Sequence, residues 1–354
     1  MNYFSFLKPF LFSLPPEIAH NLALMILKNN LFFKVENKQY PILHNSLFGL
    51  DFANPIGLAA GFDKNAEVFN NLFSFGFGFV ECGTVTPRAQ SGNVRPRLFR
   101  LEKDYAIINR LGFNNCGIEI FLKKFLARKA TNKIVGINIG KNKDTKNAVE
   151  DYLLLLPRIY NYCSYITINI SSPNTENLRN LQKSNQLENF LAALINKKNQ
   201  LKKISGKSTP LLLKIAPDLS ADEQEAIARI VVEKQIDGLI ISNTTIAHRK
   251  NLCSEYKHEI GGLSGKPLFA PSNAVLKNIY RLTKGQIPLI GVGGIFSGSD
   301  AYEKIKSGAA LLQIYSAFIY NGFGLVEKIK TELAQLMERD GIKNIKDVIG
   351  VNKF

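Results

Sequence analysis

Within Tyr165–Thr175 the chain reads Tyr-Ile-Thr-Ile-Asn-Ile-Ser-Ser-Pro-Asn-Thr, and three of these side chains could do chemistry together. Asn169 and Asn174 each offer a donor and an acceptor, and Ser172 adds a hydroxyl. That set suits a planar, amide-bearing ring better than a phosphate or a metal. The same pattern also fits an Asx or Ser turn that ends a strand. Lys214 is the second signal, because it stands inside the apolar run Leu211–Ala216. An ionised lysine in a core strand is costly unless an anion meets it. A flavin, whose N1–C2=O edge becomes negative on reduction, is one such anion. Lys64 follows Pro55-Ile-Gly-Leu-Ala-Ala-Gly-Phe-Asp, and it is a natural counter-charge for a carboxylate, although a lone lysine after a strand is commonly just solvated. Ala59, Ala60 and Gly61 before it carry so little side chain that a flat ring could lie on their backbone.

These residues fall at the ends of apolar, β-branched runs. Strands are predicted within Pro55–Lys64, which ends in a small-residue turn, at Phe79–Thr86 and Ile134–Ile139, in the first half of Tyr165–Thr175, and at Leu211–Ala216, Gly238–Thr245, Ile287–Gly294 and Leu311–Ser316, with helical patterns between them. About eight strands with polar residues gathered at their C-terminal ends describe a TIM (β/α)8 barrel. Leu47–Phe52 is predicted as one short strand covering the barrel bottom. Arg95, Arg97 and Arg100 are placed in a loop, and Gly261–Gly265 in a glycine-rich turn. Gly291, Gly293 and Gly294 would let backbone N–H groups approach an anion, with a helix beginning near Ser299-Asp300 pointing its N-terminus nearby. The tail Leu325–Glu338 reads as an amphipathic helix stopped near Gly341. No Rossmann GxGxxG is present, which argues against a built-in nicotinamide site.

The 354 residues, 45% of them apolar, can fill one large barrel. Cys82, Cys116, Cys163 and Cys253 show no CxxC and no nearby histidine cluster, so a reduced compartment fits and a metal site does not. The net charge of +16 would admit nucleic acid, an anionic membrane surface or anionic ligands. Lys197, Lys198, Lys202, Lys203 and Lys207 lack interleaved aromatics, so they read as a solvated helix face and the loop after it, and nucleic-acid binding is not expected.

Residues 1–30 read as two short helices broken at Pro15-Pro16. Phe4, Phe6, Leu7, Phe10, Leu11 and Phe12 make the first greasy, with Lys8 and Pro9 interrupting the run. A signal peptide fits poorly, and nothing is long enough to span a bilayer. Packing onto the main domain and lying on a bilayer surface both remain open from composition alone.

The loop at Ser172, with Pro55–Lys64 and Asn109-Arg-Leu-Gly-Phe-Asn-Asn115, resembles the active-site segments of dihydroorotate dehydrogenases. The resemblance is to the membrane-associated, quinone-using class whose catalytic base is a serine, and it runs from about Phe4 to about Gly350. It implies oxidation of dihydroorotate to orotate through bound FMN, with ubiquinone or menaquinone as acceptor. Ser172 would take the proton from C5 while hydride leaves C6, helped by a relay through Thr175 or a trapped water. The substrate-binding set implied is Lys64, Asn109, Arg110, Leu111, Gly112, Phe113, Asn169, Asn174, Asn243 and Thr244. The FMN set implied is Ala60, Gly61, Phe62, Asp63, Lys64, Thr84, Asn138, Asn169, Lys214, Ser242, Gly265, Gly294, Tyr315 and Ser316. Threonine is common in the family at Ser242, and the hydroxyl survives the change.

For the N-terminus the resemblance implies the surface-lying reading, with His20 and Arg100 lining a quinone tunnel between helices and barrel. Lys8, Lys28 and Lys34 could then meet anionic head groups. The expected division is residues 1–40 as a membrane and quinone extension and 41–354 as the FMN barrel, in a monomer held peripherally at the cytoplasmic face of the cell membrane. Another FMN barrel, such as a tRNA dihydrouridine synthase, is the alternative enzyme. That family uses a cysteine acid, and here Cys163 lies upstream of the fourth strand. A non-catalytic phosphate- or RNA-binding barrel is the alternative outside enzymes.

Overall fold

The structure is a computed structural model, and it describes residues 4–32, 36–128 and 132–352. Lys34 lies outside the described residues. In chain order the elements are α1 (Phe4–Ser13), α2 (Pro16–Lys28), β1 (Asn45–Leu47), β2 (Leu50–Phe52), β3 (Ile56–Leu58), α3 (Phe69–Leu72), β4 (Phe79–Val85), β5 (Leu98–Leu101) and β6 (Ala106–Asn109). They continue as α4 (Gly117–Arg128), β7 (Ile134–Ile139), α5 (Ala148–Ile159), β8 (Tyr165–Asn169), α6 (Ser184–Ser205), β9 (Leu211–Ile215), α7 (Ala221–Glu233), β10 (Gly238–Ile241) and β11 (Gly262–Gly265). The last are α8 (Phe269–Leu282), β12 (Leu289–Val292), α9 (Gly298–Lys306), β13 (Ala309–Ile314), α10 (Ser316–Asn321) and α11 (Leu325–Arg339).

Eight parallel strands close a barrel in the order β3, β4, β7, β8, β9, β10, β12, β13. This is the expected TIM barrel, and α6 carries the lysine-rich face. Side chains at alternate positions point inward and stack in layers. The lowest layer is apolar: Phe79, Tyr165, Leu212, Ile240, Ile290 and Leu311 form one buried cluster with Phe52. Its large rings need room. A Cβ on Gly136 would stand 2.2 Å from the Tyr165 ring, so only glycine fits beside it. Two residues further along the same strands, the layer turns polar, with Glu81, Thr167, Lys214 and Gln313 all buried.

Three expectations about local structure are corrected. Leu47–Phe52 is a hairpin of β1 and β2, not one strand, because Phe48 and Gly49 both take positive φ (60° and 70°) and fold the chain back. Arg100 lies on a strand, not in a loop, and Gly261–Gly265 is mostly strand as well. β5, β6 and β11 form a three-stranded antiparallel sheet beside the barrel mouth. The helical pair is as predicted. Pro15-Pro16 separates α1 from α2, and α1 runs through Pro9 without a break.

Candidate active site

The C-terminal ends of the barrel strands open into a cavity lined by residues at or just after the ends of β3, β4, β8, β9, β10, β12 and β13, with none from β7. Of the expected substrate and cofactor residues it brings together Ala60, Gly61, Lys64, Thr84, Asn109, Leu111, Gly112, Phe113, Asn169, Ser172, Asn174, Lys214, Ser242, Asn243, Thr244, Gly265, Gly294, Tyr315 and Ser316. Barrel closure explains this convergence, since parallel strands deliver all their C-terminal loops to one face.

Four expected residues do not line this cavity. Asp63 is buried with its carboxylate turned to the N–H groups of Glu67 and Val68, each at 2.8 Å, so it caps the following turn. Burial raises its pKa, and those N–H groups pull it back. The Phe62 ring faces the N-terminal helices, its centroid 5.2 Å from that of His20. Arg110 points outward to the Glu259 carboxylate at 2.5 Å and the Ile260 carbonyl at 3.0 Å. Asn138 lies one layer beneath the cavity, donating to Glu81 at 2.8 Å and accepting from Thr84 at 2.6 Å.

The serine loop is tightly held. Ser172 is buried, and its Oγ accepts from the Asn174 N–H at 3.3 Å. Asn174 Nδ2 reaches across to the carbonyl of Asn109 at 3.0 Å. No hydrogen bond joins Ser172 to Thr175 among the described residues, so nothing in this geometry favours the threonine relay over water. Arg179, which sequence reasoning missed, ties the loop down. Its guanidinium donates to the Ser171 carbonyl at 3.0 Å, the Thr244 carbonyl at 2.8 Å and the Asp218 carboxylate at 2.9 Å. Arg179 thus joins the loop after β8 to the loop after β10.

Several polar groups at the cavity have no protein partner. Lys214 Nζ makes no hydrogen bond or ion pair among the described residues. Burial lowers its pKa, and the Glu81 charge offsets part of that. Gln313 Oε1 and Thr244 Oγ1 are buried and unpartnered. At Gly294 (φ +71°) a Cβ would meet the backbone of Phe269 at 2.6 Å, so only glycine lets this turn pack against the start of α8. Ser316 Oγ pairs with Ser264 Oγ at 2.8 Å on the same wall. An unpaired cation, orphaned acceptors and a bare glycine turn fit a planar ring with a phosphate tail. The helix expected to aim at that phosphate does not. The first amide of α9, at Gly298, donates to Glu332 at 2.6 Å, and Asp300 N–H donates to Ser297.

Lys64 also stands free of hydrogen-bonding partners among the described residues, with its pKa lowered to about 8 by burial first and then by Arg97, against the pull of Glu17 and Asp63. It remains a cation at neutral pH, suited to a carboxylate.

A second, larger cavity of about 1150 Å³ lies between the N-terminal helices and the barrel. Phe4, Leu7, Leu11, Phe12, Ala19, Ala23, Ile26, Phe62, Phe318 and Phe323 make it apolar, and His20 and Arg100 line it as expected. The imidazole of His20 is neutral, its pKa lowered to about 3 by burial and by Lys64. Arg100 donates to the carbonyls of Leu11 and Phe12 at 3.0 Å and also to that of Leu14, capping the end of α1. Its charge lies 4.6 Å over the Phe12 ring. Glu17 at the start of α2 accepts from Arg97 at 2.6 Å and Arg95 at 3.1 Å. Leu98, Ile107 and Tyr315 line both cavities, so one thin wall separates them.

The sequence profile of the family described as "Dihydroorotate dehydrogenase" matches residues 42–337. A protein named "Dihydroorotate dehydrogenase (quinone)" from Xanthobacter autotrophicus is 47% identical, over 99% of both chains. One of the same name from Rhodopseudomonas palustris is 48% identical, over 97% of this chain and 94% of that one. Among solved structures, a DHODH from Eimeria tenella in complex with ferulenol is 40% identical, with a TM-score of 0.90 over 95% of each chain. The ligand-free form from the same organism gives the same score over 99% of that chain. With the profile spanning most of the barrel and such relatives spanning nearly the whole length, the chain belongs to the dihydroorotate dehydrogenase family.

Proposed function

We propose that this chain carries out its family's reaction, the oxidation of dihydroorotate to orotate in pyrimidine synthesis, on bound FMN, and passes the electrons to a quinone held against the N-terminal helices. The observation that carries this reading is the pair of cavities sharing a wall at Leu98, Ile107 and Tyr315. One mixes apolar walls with a serine and two unpaired lysines; the other is far more apolar and is bounded by helices that expose Phe6 (76%) and Phe10 (60%).

FMN, when bound, supplies the acceptor for the hydride that leaves C6 of the substrate. Ser172 takes the proton from C5, with water as the next stop for that proton. Lys64 holds the substrate carboxylate. Asn109, Asn169, Asn174 and Asn243 bracket the ring amides, and Arg179 ties the loops after β8 and β10 together beside them. Lys214 lies ready to neutralise negative charge arising above it. The backbone of Gly265, Gly294, Tyr315 and Ser316 would cradle the phosphate.

Among the described residues no helix is long and apolar enough to cross a membrane. The exposed apolar side chains of α1 and α2, including Ile18 and Met25, support a protein lying on the membrane surface with this face in the acyl region, and we propose that it does so as a monomer. We place it at the cytoplasmic face, with residues 1–40 as the membrane and quinone extension. The test is direct: the purified protein should be yellow, with flavin absorbance released as FMN, and dihydroorotate should bleach it without oxygen. A colourless protein that binds neither FMN nor orotate would remove the reading.

A further inference from the structure

Glu81 was not singled out from the sequence, yet its carboxylate accepts four hydrogen bonds inside the barrel. It is fully buried on β4, beneath Asn138 and in the same layer as Lys214 and Gln313. Its Oε1 accepts from Asn138 Nδ2 at 2.8 Å. Its Oε2 accepts from Tyr165 Oη at 3.1 Å, Thr167 Oγ1 at 3.0 Å and Gln313 Nε2 at 2.8 Å. All four partners can donate, two through amide nitrogens and two through hydroxyls, which suits a carboxylate whose oxygens accept.

An amide has one donor end and one acceptor end, and its own shape does not choose between the two orientations. A buried carboxylate whose oxygens accept does choose. Asn138 must turn its NH2 down to Glu81, so its Oδ1 faces up. There it accepts from Thr84 Oγ1 at 2.6 Å and Asn169 Nδ2 at 3.2 Å. Asn169 then has its Oδ1 left for the far side, where it accepts from Ser171 Oγ at 3.0 Å and Asn243 Nδ2 at 3.3 Å. Asn243 in turn has only Oδ1 to offer the Thr244 N–H, at 2.8 Å. Donor and acceptor run in one direction at every step. Gln313 obeys the same rule: its Nε2 is committed to Glu81, and its Oε1 is left unpartnered.

We propose that Glu81 is a positioning residue that fixes the donor–acceptor polarity of the amides around the ring-binding cavity, and so selects the hydrogen-bonding edge of the substrate. This rests on reading the cavity as the orotate site. Flipping Asn169 would turn a donor on Ser171 Oγ and Asn243 Nδ2 where an acceptor now stands, and so turn the Asn243 amide that lines the cavity; a mismatched pair in a buried site loses affinity by more than a missing one. A simple counter-charge for Lys214 would act on any anion alike. Polarity acts only on ligands with a ring edge to read.

The experiment uses the full-length, flavin-loaded protein and measures dissociation constants by calorimetry for orotate and for benzoate, which keeps a ring carboxylate but has no amide edge. Failure of the wild type to bind flavin or orotate would sink the functional reading rather than this proposal. With those in place, Glu81→Gln, whose amide can face Asn138 either way, should weaken orotate roughly tenfold or more while changing benzoate little. Adding Asn138→Asp moves the carboxylate one step up, where it can accept from Thr84, from Asn169 and from the amide introduced beneath it. The double variant should therefore recover most of the orotate affinity. If Glu81→Gln alone does not fold, the comparison runs from Asn138→Asp alone, which sets two carboxylates face to face. Adding Glu81→Gln must then improve orotate binding. Equal losses for orotate and benzoate, wild-type orotate binding in Glu81→Gln, or no gain in the double variant would each overturn the proposal.

Discussion

The two cavities meet at one wall and are built in opposite ways. In the barrel cavity most polar side chains are held by another polar group, and the bonds pass from strand to strand: Glu81 to Asn138, Asn138 to Asn169, Asn174 to Asn109. The cavity under α1 and α2 is lined mainly by apolar side chains. Directed bonds there come mostly from Arg95, Arg97 and Arg100, which grip the end of α1 and the start of α2 from the barrel side. Hydrogen bonds read a ligand edge by edge, whereas apolar contact reads volume and tolerates sliding. The first design suits a small polar ring that must sit in one pose for proton and hydride to leave. The second suits a long apolar molecule arriving from a membrane.

The comparison can be broken at several points. Deleting residues 1–30 is the most severe test: the barrel does not use them in its sheet, so vesicle binding and turnover with long-chain quinone should be lost. Flavin reduction by dihydroorotate in a single turnover should persist. Lys214→Met comes next. Removing the buried cation should cut flavin affinity roughly tenfold, or lower the flavin potential measurably, because reduced flavin loses its charge partner. An unchanged potential and occupancy would leave Lys214 a packing residue.

Lys64 gives a pH test of comparable or smaller size. Its pKa is lowered to about 8, so it is charged below that pH and neutral above it. Orotate should bind best below about pH 8, and its affinity should fall towards tenfold per unit above. Binding itself raises the lysine's pKa, so the break in the complex lies higher. In Lys64→Met the slope should vanish. Glu17→Gln is the mildest case. It weakens one charge-assisted contact among several, so KM for quinone should rise a few-fold with flavin reduction untouched.

Much of the barrel and its cavity was legible in the sequence, for a physical reason. Buried parallel strands are continuous apolar runs, and polar residues at their ends stand out against them. Lys214 was found by that contrast. Glu81 offers the same contrast within Phe79–Val85 and was passed over, although a lone acid in a fully buried strand is as costly as a lone base. The antiparallel sheet of β5, β6 and β11 left a weaker trace, since strands of four residues with Gly262 and Gly265 read as turns. Arg179 and Arg97 could not have been found by pattern. Their partners are backbone carbonyls and carboxylates brought near only by the closed fold. Asp63 and Arg110 sit beside true cavity residues in sequence, but their side chains turn the other way.

The central claim is that the two cavities serve two separate half-reactions, and rapid mixing of the full-length protein tests it most directly. Flavin reduction by dihydroorotate and flavin reoxidation by quinone are timed separately in Ser172→Ala and in Arg100→Ala. The account predicts that Ser172→Ala slows reduction by roughly a hundredfold or more, the usual scale for a lost general base, and leaves reoxidation at the wild-type rate. Arg100→Ala should do the reverse, slowing reoxidation alone. Wild-type reduction in Ser172→Ala, or equal slowing of both steps by either variant, would contradict it.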